Sequence, residues 1–237
     1  MSIIALIKAQ LCKRHSSAFI KYLRNKGMVI GADTTFLSPR KTYIDENRAE
    51  WIKIGNQCVI CRNVTMIAHD YSWITLLKYD GSFIPSGGGR INIGNNVFVG
   101  EGSTILRDVN IGDNCIIGAN SVVSRNIPAN SVAVGCPAKV IMTLDEYIEK
   151  KKNSQKKEIY DNILYLKQIY GDNIPEIKLK NFRFYYMMRD ENNIHKYIEE
   201  NGIVGISKEY LIQCLKNSSP LYESVDDMIC KNSNINE

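Results

Sequence analysis

The chain has 237 residues, of which 44% are hydrophobic, so it can bury a sizeable core and is long enough for one or two domains. Its net charge of +5 is small and spread along the sequence, which argues against a nucleic-acid-binding protein but suits an anionic ligand such as a pyrophosphate. Seven scattered cysteines, an odd number, do not form a disulfide framework and are typical of the reducing cytoplasm. The sequence contains no run of about 18 apolar residues, so no transmembrane helix is predicted.

The N-terminal segment, residues 1–27, is predicted to form an amphipathic helix over Ile3 to Lys26. Its apolar start contains Lys8 and precedes Lys13, whereas a secretory signal peptide carries its positive charge before the apolar run. We expect this helix to pack on the rest of the protein. Peripheral contact with a membrane is the alternative.

The strongest pattern in the sequence is a repeat of six residues. Counted from residue 93, each first position is aliphatic and each fifth position is small or aliphatic. The same phase holds in an earlier block that begins at Ile54, and a weaker start occurs at Ile30. The first positions are Ile93, Val99, Ile105, Ile111, Ile117 and Val123, and the fifth positions are Val97, Ser103, Val109, Cys115, Ser121 and Ile127.

A six-residue repeat predicts a β-helix, because three short strands complete one triangular coil of about 18 residues. The first and fifth side chains of each unit should point into the prism. Glycine at the second position should relieve the turn. Stacked coils then bury a continuous inner column, as in other solenoids.

Two stretches interrupt the repeat. Residues 38–50 are polar and charged, which predicts an irregular coil. A loop over residues 70–90 leaves the solenoid after Ala68 and returns at Arg90. This loop contains Gly, Pro and aromatic residues that we expect to be exposed, and long loops on a rigid scaffold often carry function.

The repeats end before residue 143, and residues 143–237 are predicted to form a helical C-terminal extension. Apolar residues at helical spacings predict one helix from Leu144 to Tyr170, which Gly171 and Pro175 end. Shorter helices should follow. The extension either braces the β-helix or contacts a carbohydrate or another subunit.

His69 is the candidate general base. It is the only one of the three histidines within the repeats, it lies at the mouth of the loop, and a neutral imidazole accepts a hydroxyl proton near pH 7. A structural role is the alternative. A covalent cysteine mechanism is the competing route, but Cys58 and Cys115 occupy inward fifth positions, where thiols are poor nucleophiles. Cys58 and Cys61 form a C-x-x-C without a second pair, which favours a structural role over a zinc site.

Two stretches resemble the hexapeptide-repeat acetyltransferases. The run from Ile91 to Ile141 joins the repeat to a GCPAK exit, and NVTMIAHDYS resembles the family stretch that ends in the catalytic histidine. The resemblance covers roughly residues 28–142 and is closest to the bacterial polysaccharide and sugar O-acetyltransferases. It implies a mainly β fold, a left-handed parallel β-helix, in a homotrimer whose active sites lie between two subunits.

The resemblance also implies acetyl-CoA as co-substrate, no metal, a sugar hydroxyl as acceptor, and a role in the synthesis of a bacterial surface polysaccharide. His69 would be the base, and backbone N–H groups near Gly100 would stabilise the oxyanion. Asp70 would orient the imidazole or hold the loop. Met142 stands where some sugar acetyltransferases have a second Arg, so one phosphate contact is not matched. The coenzyme would contact Gly100, Glu101, Ala119, Ser124, Arg125 and Lys139, and Tyr71, Trp73 and Tyr79 would stack on the sugar or cover the acetyl group.

Three other functions are compatible with only some of these residues. A xenobiotic or antibiotic acetyltransferase would have similar repeats, but the C-terminal extension lacks the Trp-rich ending of that branch. A non-catalytic β-helix binding module would need neither His69 nor the GCPAK exit. A β-helix carbonic anhydrase needs three histidines around zinc, and the repeats contain one.

Overall fold

The structure, a computed structural model of the chain, describes residues 12–85, 87–186, 189–201 and 205–232. The chain divides into two compact units between Tyr147 and Ile148. The boundary predicted from the sequence, after residue 142, falls near the end of the last strand of the first unit.

The first unit is a parallel β-helix of four stacked coils, each with three short strands. The first coil contains β1 (Val29–Ile30), β2 (Thr35–Phe36) and β3 (Tyr43–Ile44), the second β4 (Ile52–Ile54), β5 (Val59–Ile60) and β6 (Thr65–Ile67), the third β7 (Ile91–Ile93), β8 (Phe98–Val99) and β9 (Thr104–Leu106), and the fourth β10 (Val109–Ile111), β11 (Ile116–Ile117) and β12 (Val122–Val123). Sheet A stacks β1, β4, β7 and β10, sheet B stacks β2, β5, β8 and β11, and sheet C stacks β3, β6, β9 and β12. The predicted β-helix is confirmed.

The side chains at the first and fifth repeat positions fill the prism, as the repeat predicted. Ile105, Ile117 and Val123 are fully buried at first positions, and so are Ser103 and Ser121 at fifth positions. The two serines keep their hydroxyls satisfied: Ser103 Oγ donates to the carbonyl of Gly118, and Ser121 Oγ accepts from the Gly135 N–H. A small fifth residue therefore fits the corner even when it is polar.

The role predicted for glycine at the second position is wrong. The left-handed backbone conformation lies at the fourth position of the repeat, at Asn96, Asp108, Asn114 and Asn120 among others, with φ between 53° and 59° at these four. Asn and Asp tolerate this conformation better than most residues. Glycine is needed at the second position because a Cβ there would collide with the backbone of the next coil, as at Gly94.

Each end of the prism is closed by a different element. At one end, helix α1 (Ser16–Asn25) buries Phe19 and Leu23, and Phe19 packs edge-on against Phe36 with 5.2 Å between the ring centroids. At the other end, β13 (Ser131–Val134) joins sheet B and pairs antiparallel with β14 (Lys139–Thr143). The predicted packing is confirmed for α1, but a single helix from Ile3 to Lys26 is wrong, because residues 13–15 form a turn and a bend before α1. The part of the prediction before residue 12 lies outside the described residues.

The two interruptions of the repeat have local structure. Two 3₁₀ helices, Pro39–Lys41 and Glu46–Trp51, flank β3 and make the first coil irregular, as expected. The segment predicted as a loop over 70–90 contains helix α2 (Trp73–Asp80), which ends at Gly81 in the left-handed conformation. The sequence did not predict a helix within this loop, because eight residues show too little periodicity; Gly81 supplies its C-cap.

The second unit is helical. Helix α3 (Leu144–Tyr170) has the bounds predicted from the sequence and packs Ile159 and Ile163 into a small apolar core. None of the described helices is both long enough and apolar enough to cross a bilayer. The remaining helices are α4 (Glu176–Leu179), α5 (Arg183–Tyr186), α6 (Glu191–Asn201), α7 (Lys208–Lys216) and α8 (Val225–Lys231), with a 3₁₀ turn at Lys180–Phe182.

Candidate active site

A histidine and a buried carboxylate meet at the corner between sheets C and A. His69 follows β6, and its Nδ1 lies 2.6 Å from Oδ2 of Asp45, which follows β3 in the coil below. The Asp45 side chain is only 2% exposed, and the His69 side chain is 20% exposed. The tautomer that uses this bond carries its proton on Nδ1, which leaves Nε2 as a proton acceptor.

Asp70 does not contact the imidazole. Its Oδ1 accepts from the Ser72 N–H at 2.8 Å, and its Oδ2 lies 3.1 Å from an Arg107 nitrogen. The Ser72 N–H, followed by the Ser72 hydroxyl and Arg107, lowers the pKa of this carboxyl below its usual value. The structure thus corrects the orienting role considered for Asp70, because adjacent side chains diverge; Asp70 instead holds the start of the loop.

The loop is closed at its base by the backbone. The N–H of Gly89 donates to the carbonyl of Ala68 at 2.9 Å, so the chain leaves and re-enters the solenoid at neighbouring points. Gly88 has φ of 87°, and a side chain there would strike the Ala68 carbonyl and the Trp51 ring. This closure fixes the position of His69, which follows Ala68.

The aromatic residues predicted to meet the acceptor differ in their surroundings. The Tyr71 ring lies 4.6 Å from the imidazole, centroid to centroid, and is exposed. Trp73 packs edge-on against Phe83 within the loop, and Tyr79 is 88% exposed. Only Tyr71 is shown beside His69. No residue of α2 is buried, and its Trp73 packs only in part against the loop.

The residues predicted to contact the coenzyme fall on both edges of sheet C. Gly100, Glu101 and Ala119 follow strands of sheet B, at the corner between sheets B and C. Ser124 and Arg125 follow β12 and lie at the corner between sheets C and A, the corner that also carries His69. Lys139 begins β14. Ala119, Ser124, Arg125 and Lys139 are exposed, and neither cation has an ion-pair partner among the described residues.

The oxyanion role expected for the Gly100 N–H conflicts with its hydrogen bond. That N–H donates to the carbonyl of Ile117 in the next coil at 2.8 Å, so it is already used by the β-helix. A Cβ on Gly100 would also strike the backbone of Gly118 and Ala119. Gly100 is therefore explained by close packing of the coils. Glu101 nearby pairs with Arg62 at 2.6 Å.

The thiols within the repeats are buried and free. Burial raises the pKa of Cys58, of Cys61 and of Cys115 above the usual thiol value. The Cys58 and Cys115 thiols contact backbone carbonyls, those of Gly94 and Pro128, at 3.1 Å each. Protonated and inward, they do not suit nucleophilic catalysis. Among the described residues, no group of three or more His, Cys, Asp and Glu side chains is placed to hold a metal.

Sequence reasoning missed two residues that hold the site. Asp45 sits in the irregular first coil, where strand spacing departs from six, so counting sextets could not place it under His69. Arg107 links Asp70 to Asp108 across coils. A usable signal was present, since residues 45, 69 and 107 each follow a sheet C strand and must share one corner.

Two sequence comparisons agree with this fold. Residues 90–125 match the family model described as bacterial transferase hexapeptide (six repeats). The chain is 41% identical over 151 residues to Protein CapG of Staphylococcus aureus, an alignment that covers 58% of this chain and 84% of that protein.

Several solved structures resemble part of this chain. A polySia-specific acetyltransferase, NeuO, is 28% identical with a TM-score of 0.35, and the match covers 48% of each chain. A serine acetyltransferase of Neisseria gonorrhoeae is 26% identical with a TM-score of 0.39, over 49% of this chain and 38% of its own. A maltose O-acetyltransferase of Clostridium difficile 630 is 26% identical with a TM-score of 0.38, over 60% of this chain and 89% of its own. The chain thus spans less than half of the length of the first two.

The family follows from the repeat, the coils it builds and the sequence relative. Sextets predicted from the sequence form stacked three-strand coils, and the family model matches within them. The relative is covered over most of its length at an identity well above that of chance alignments. The chain belongs to the bacterial hexapeptide-repeat transferases, which fold as a left-handed β-helix.

Proposed function

We propose that this transferase is an O-acetyltransferase that moves an acetyl group from acetyl-CoA to a sugar hydroxyl of a bacterial surface polysaccharide. The observation that carries the proposal is the His69–Asp45 pair, with its 2.6 Å contact at the mouth of a loop on a rigid prism. A buried carboxylate on Nδ1 fixes the ring and stabilises the imidazolium formed when Nε2 takes a proton.

The reaction needs one proton acceptor and one proton donor. Nε2 of His69 removes the proton of the acceptor hydroxyl as its oxygen attacks the thioester carbonyl carbon. The carbon–sulfur bond then breaks, and the imidazolium returns the proton to the thiolate of coenzyme A. General base catalysis of this kind contributes about 10²- to 10⁴-fold to the rate.

The coenzyme is proposed to lie along a seam between two chains of a homotrimer. Exposed Arg125 and Lys139 lack ion-pair partners among the described residues and suit phosphate groups. The candidate contacts occupy both edges of sheet C, whose outward side chains include Ile67 and Leu106 beside Thr65 and Thr104. A neighbouring chain packed there would bring the edge with Glu101 and Ala119 to the edge with His69.

The sugar acceptor is proposed from the aromatic surface at the loop. The exposed Tyr71 ring beside the imidazole offers the flat apolar face on which sugar rings stack. The stretch NVTMIAHDYS, which resembles the polysaccharide O-acetyltransferases, places this tyrosine two residues after the base. The six cysteines other than Cys12 form no disulfide, which is in line with the proposed action in the cytoplasm.

Two assays test the proposal. Thiol release from acetyl-CoA should depend on a saccharide acceptor in a panel that also contains antibiotics and other small hydroxyl compounds. Surface polysaccharide from cells with the gene should carry an acetyl mass that is absent without it. Release only with a xenobiotic, or no release with any acceptor, would overturn the proposed function.

A further inference from the structure

On sheet A the outward side chains of the last three coils are polar, whereas Val29 in the first coil is apolar. Lys53, Asn92 and Asn110 lie in consecutive coils at paired positions on this face, and Asn126 follows at the corner. Asn92 Nδ2 donates to Asn110 Oδ1 at 2.7 Å, and the Asn110 N–H donates to Asn126 Oδ1 at 2.8 Å. At about 4.8 Å per coil, this amide ladder from Asn92 to Asn126 extends for roughly 10 Å.

The ladder runs into a groove at the corner that carries His69. The groove has a volume of about 620 Å³ and is lined by Trp51, Arg90 and Asp108 together with the glycines of the loop base. A second groove of about 680 Å³ continues from it over sheet A, and the two share Asn92 and Asn110. Together they form one track along the face.

The track begins beside Ala68, the residue that precedes His69. A side chain on Gly88 would lie 3.0 Å from the Trp51 ring and would strike the carbonyl of Ala68, so the indole and Ala68 are close neighbours. His69 and the Trp51 indole therefore both lie at the corner between sheets C and A.

The track carries two cations without an ion-pair partner among the described residues. Lys53 and Arg90 are exposed and form no ion pair with any described residue. The guanidinium of Arg48 lies 4.7 Å from the centroid of the Trp51 ring. Two carboxylates line the track: Asp108 is paired with Arg107 at 2.8 Å, and Asp113 accepts from the Asn95 N–H at 2.6 Å. An aromatic ring, an amide ladder and unpaired cations together suit an acidic carbohydrate chain.

We propose that this track, Trp51–Arg90–Asn92–Asn110 with Lys53, binds an acidic glycan chain and leads its reacting sugar to His69. The inference rests on the proposed function and makes it specific: the acceptor is an anionic polymer rather than a single sugar. The indole packs on one sugar ring beside the corner. The amides and cations bind the hydroxyls and carboxylates of the following units.

Binding is tested with three probes and no acetyl-CoA present. Oligogalacturonate of about ten units serves as the acidic chain, dextran as the neutral chain, and galacturonate as the single sugar. Wild type should bind the acidic chain at least about tenfold more tightly than the other two. Trp51→Ala with Arg90→Ala should weaken that binding about tenfold or more, as loss of a central anchor does.

A control that removes two positive charges elsewhere, one more than the track variant, separates this track from general attraction to a basic protein. Lys21 and Lys150 are exposed cations outside the track, and Lys21→Ala with Lys150→Ala should change the affinity less than about twofold. The single variant Arg90→Gln, which keeps the indole, gives a second measurement should the first double variant fold poorly. An equal loss in the Lys21 and Lys150 variant, or equal binding of dextran, would overturn the proposal.

The outcomes also separate this proposal from the proposed function. Wild type that acetylates single sugars but does not bind oligogalacturonate would leave the function standing and refute the track. Wild type that binds the acidic chain through Trp51 and Arg90 but releases no thiol with any acceptor would support the track and refute the function. His69→Asn should keep the binding and lose the transfer.

Discussion

The carboxylate beneath His69 determines whether the imidazole works as a base. Asp45 is buried and makes the 2.6 Å contact to Nδ1. Asp45→Asn keeps the shape but offers the ring a different partner, so the wrong tautomer and a less stable imidazolium should result. We expect kcat to fall by about 10²-fold or more with little change in KM for the coenzyme, measured by steady-state kinetics.

Asp70→Asn provides the matched comparison. Asp70 contacts Ser72 and Arg107 and not the ring, so its loss should lower kcat much less than the loss of Asp45. An equal or larger fall for Asp70→Asn would mean that the orienting carboxylate has been assigned to the wrong residue.

The buried thiols provide a second test at single residues. Because burial raises the pKa of Cys58 and Cys115, both should resist iodoacetamide at pH 8, whereas exposed Cys136 should react. Cys58→Ser should keep turnover within about twofold, since Ser occupies equivalent fifth positions in other coils. Rapid alkylation of Cys58 together with loss of activity would support the covalent route instead.

At the scale of the coil, second-position glycines set the spacing. A Cβ at Gly94 would lie 2.8 Å from the backbone of Gly112 and Asp113. Gly94→Ala should therefore lower the free energy of unfolding by about 1–3 kcal/mol, the usual cost of overpacking, in urea denaturation. Gly87→Ala is the control, because a Cβ there meets nothing within 4 Å, and a change within about 0.5 kcal/mol is expected. Equal losses would refute the close-approach explanation.

The start of the loop depends on the Asp70 carboxylate and Arg107. The folded-state pKa of Asp70 is lowered, so its contribution is present above the unfolded pKa, near 4, and is lost as pH falls through the folded value. Arg107→Ala at pH 7 should speed cleavage of the loop in limited proteolysis and raise the hydrogen exchange of its amides. In the wild type, lowering the pH through the folded pKa of Asp70 should likewise reduce the protection of these amides from hydrogen exchange. A loop whose exchange is the same in wild type and variant would contradict this role.

The coils could be predicted because every residue has a position in the six-residue repeat. Spacing alone therefore predicts that the side chains of Ile105 and Ser103 point into the prism. The sequence also predicted both ends of α3, since a long periodic run and Gly171 mark them. The contact of Asp45 with His69 could not be predicted, because the first coil departs from six-residue spacing. Helix α2 escaped because eight residues give too little periodicity.

At the scale of the whole molecule, the site candidates occupy both edges of sheet C, and α2 has no buried residue. Both features fit a seam between chains. Light scattering should give a mass about three times the 26.9 kDa of one chain. A charge introduced on the outward face of sheet C, as in Leu106→Glu, should reduce that mass and the activity together. An active monomer would rule out the seam.

The central claim is that an imidazole held by Asp45 transfers the proton during acetyl transfer. The most direct measurement is the acetyl-CoA turnover of His69→Asn beside wild type, with the affinity for coenzyme A measured on both. The account predicts a fall in kcat of about 10²- to 10⁴-fold with unchanged coenzyme affinity. A variant that keeps most of its turnover would contradict it.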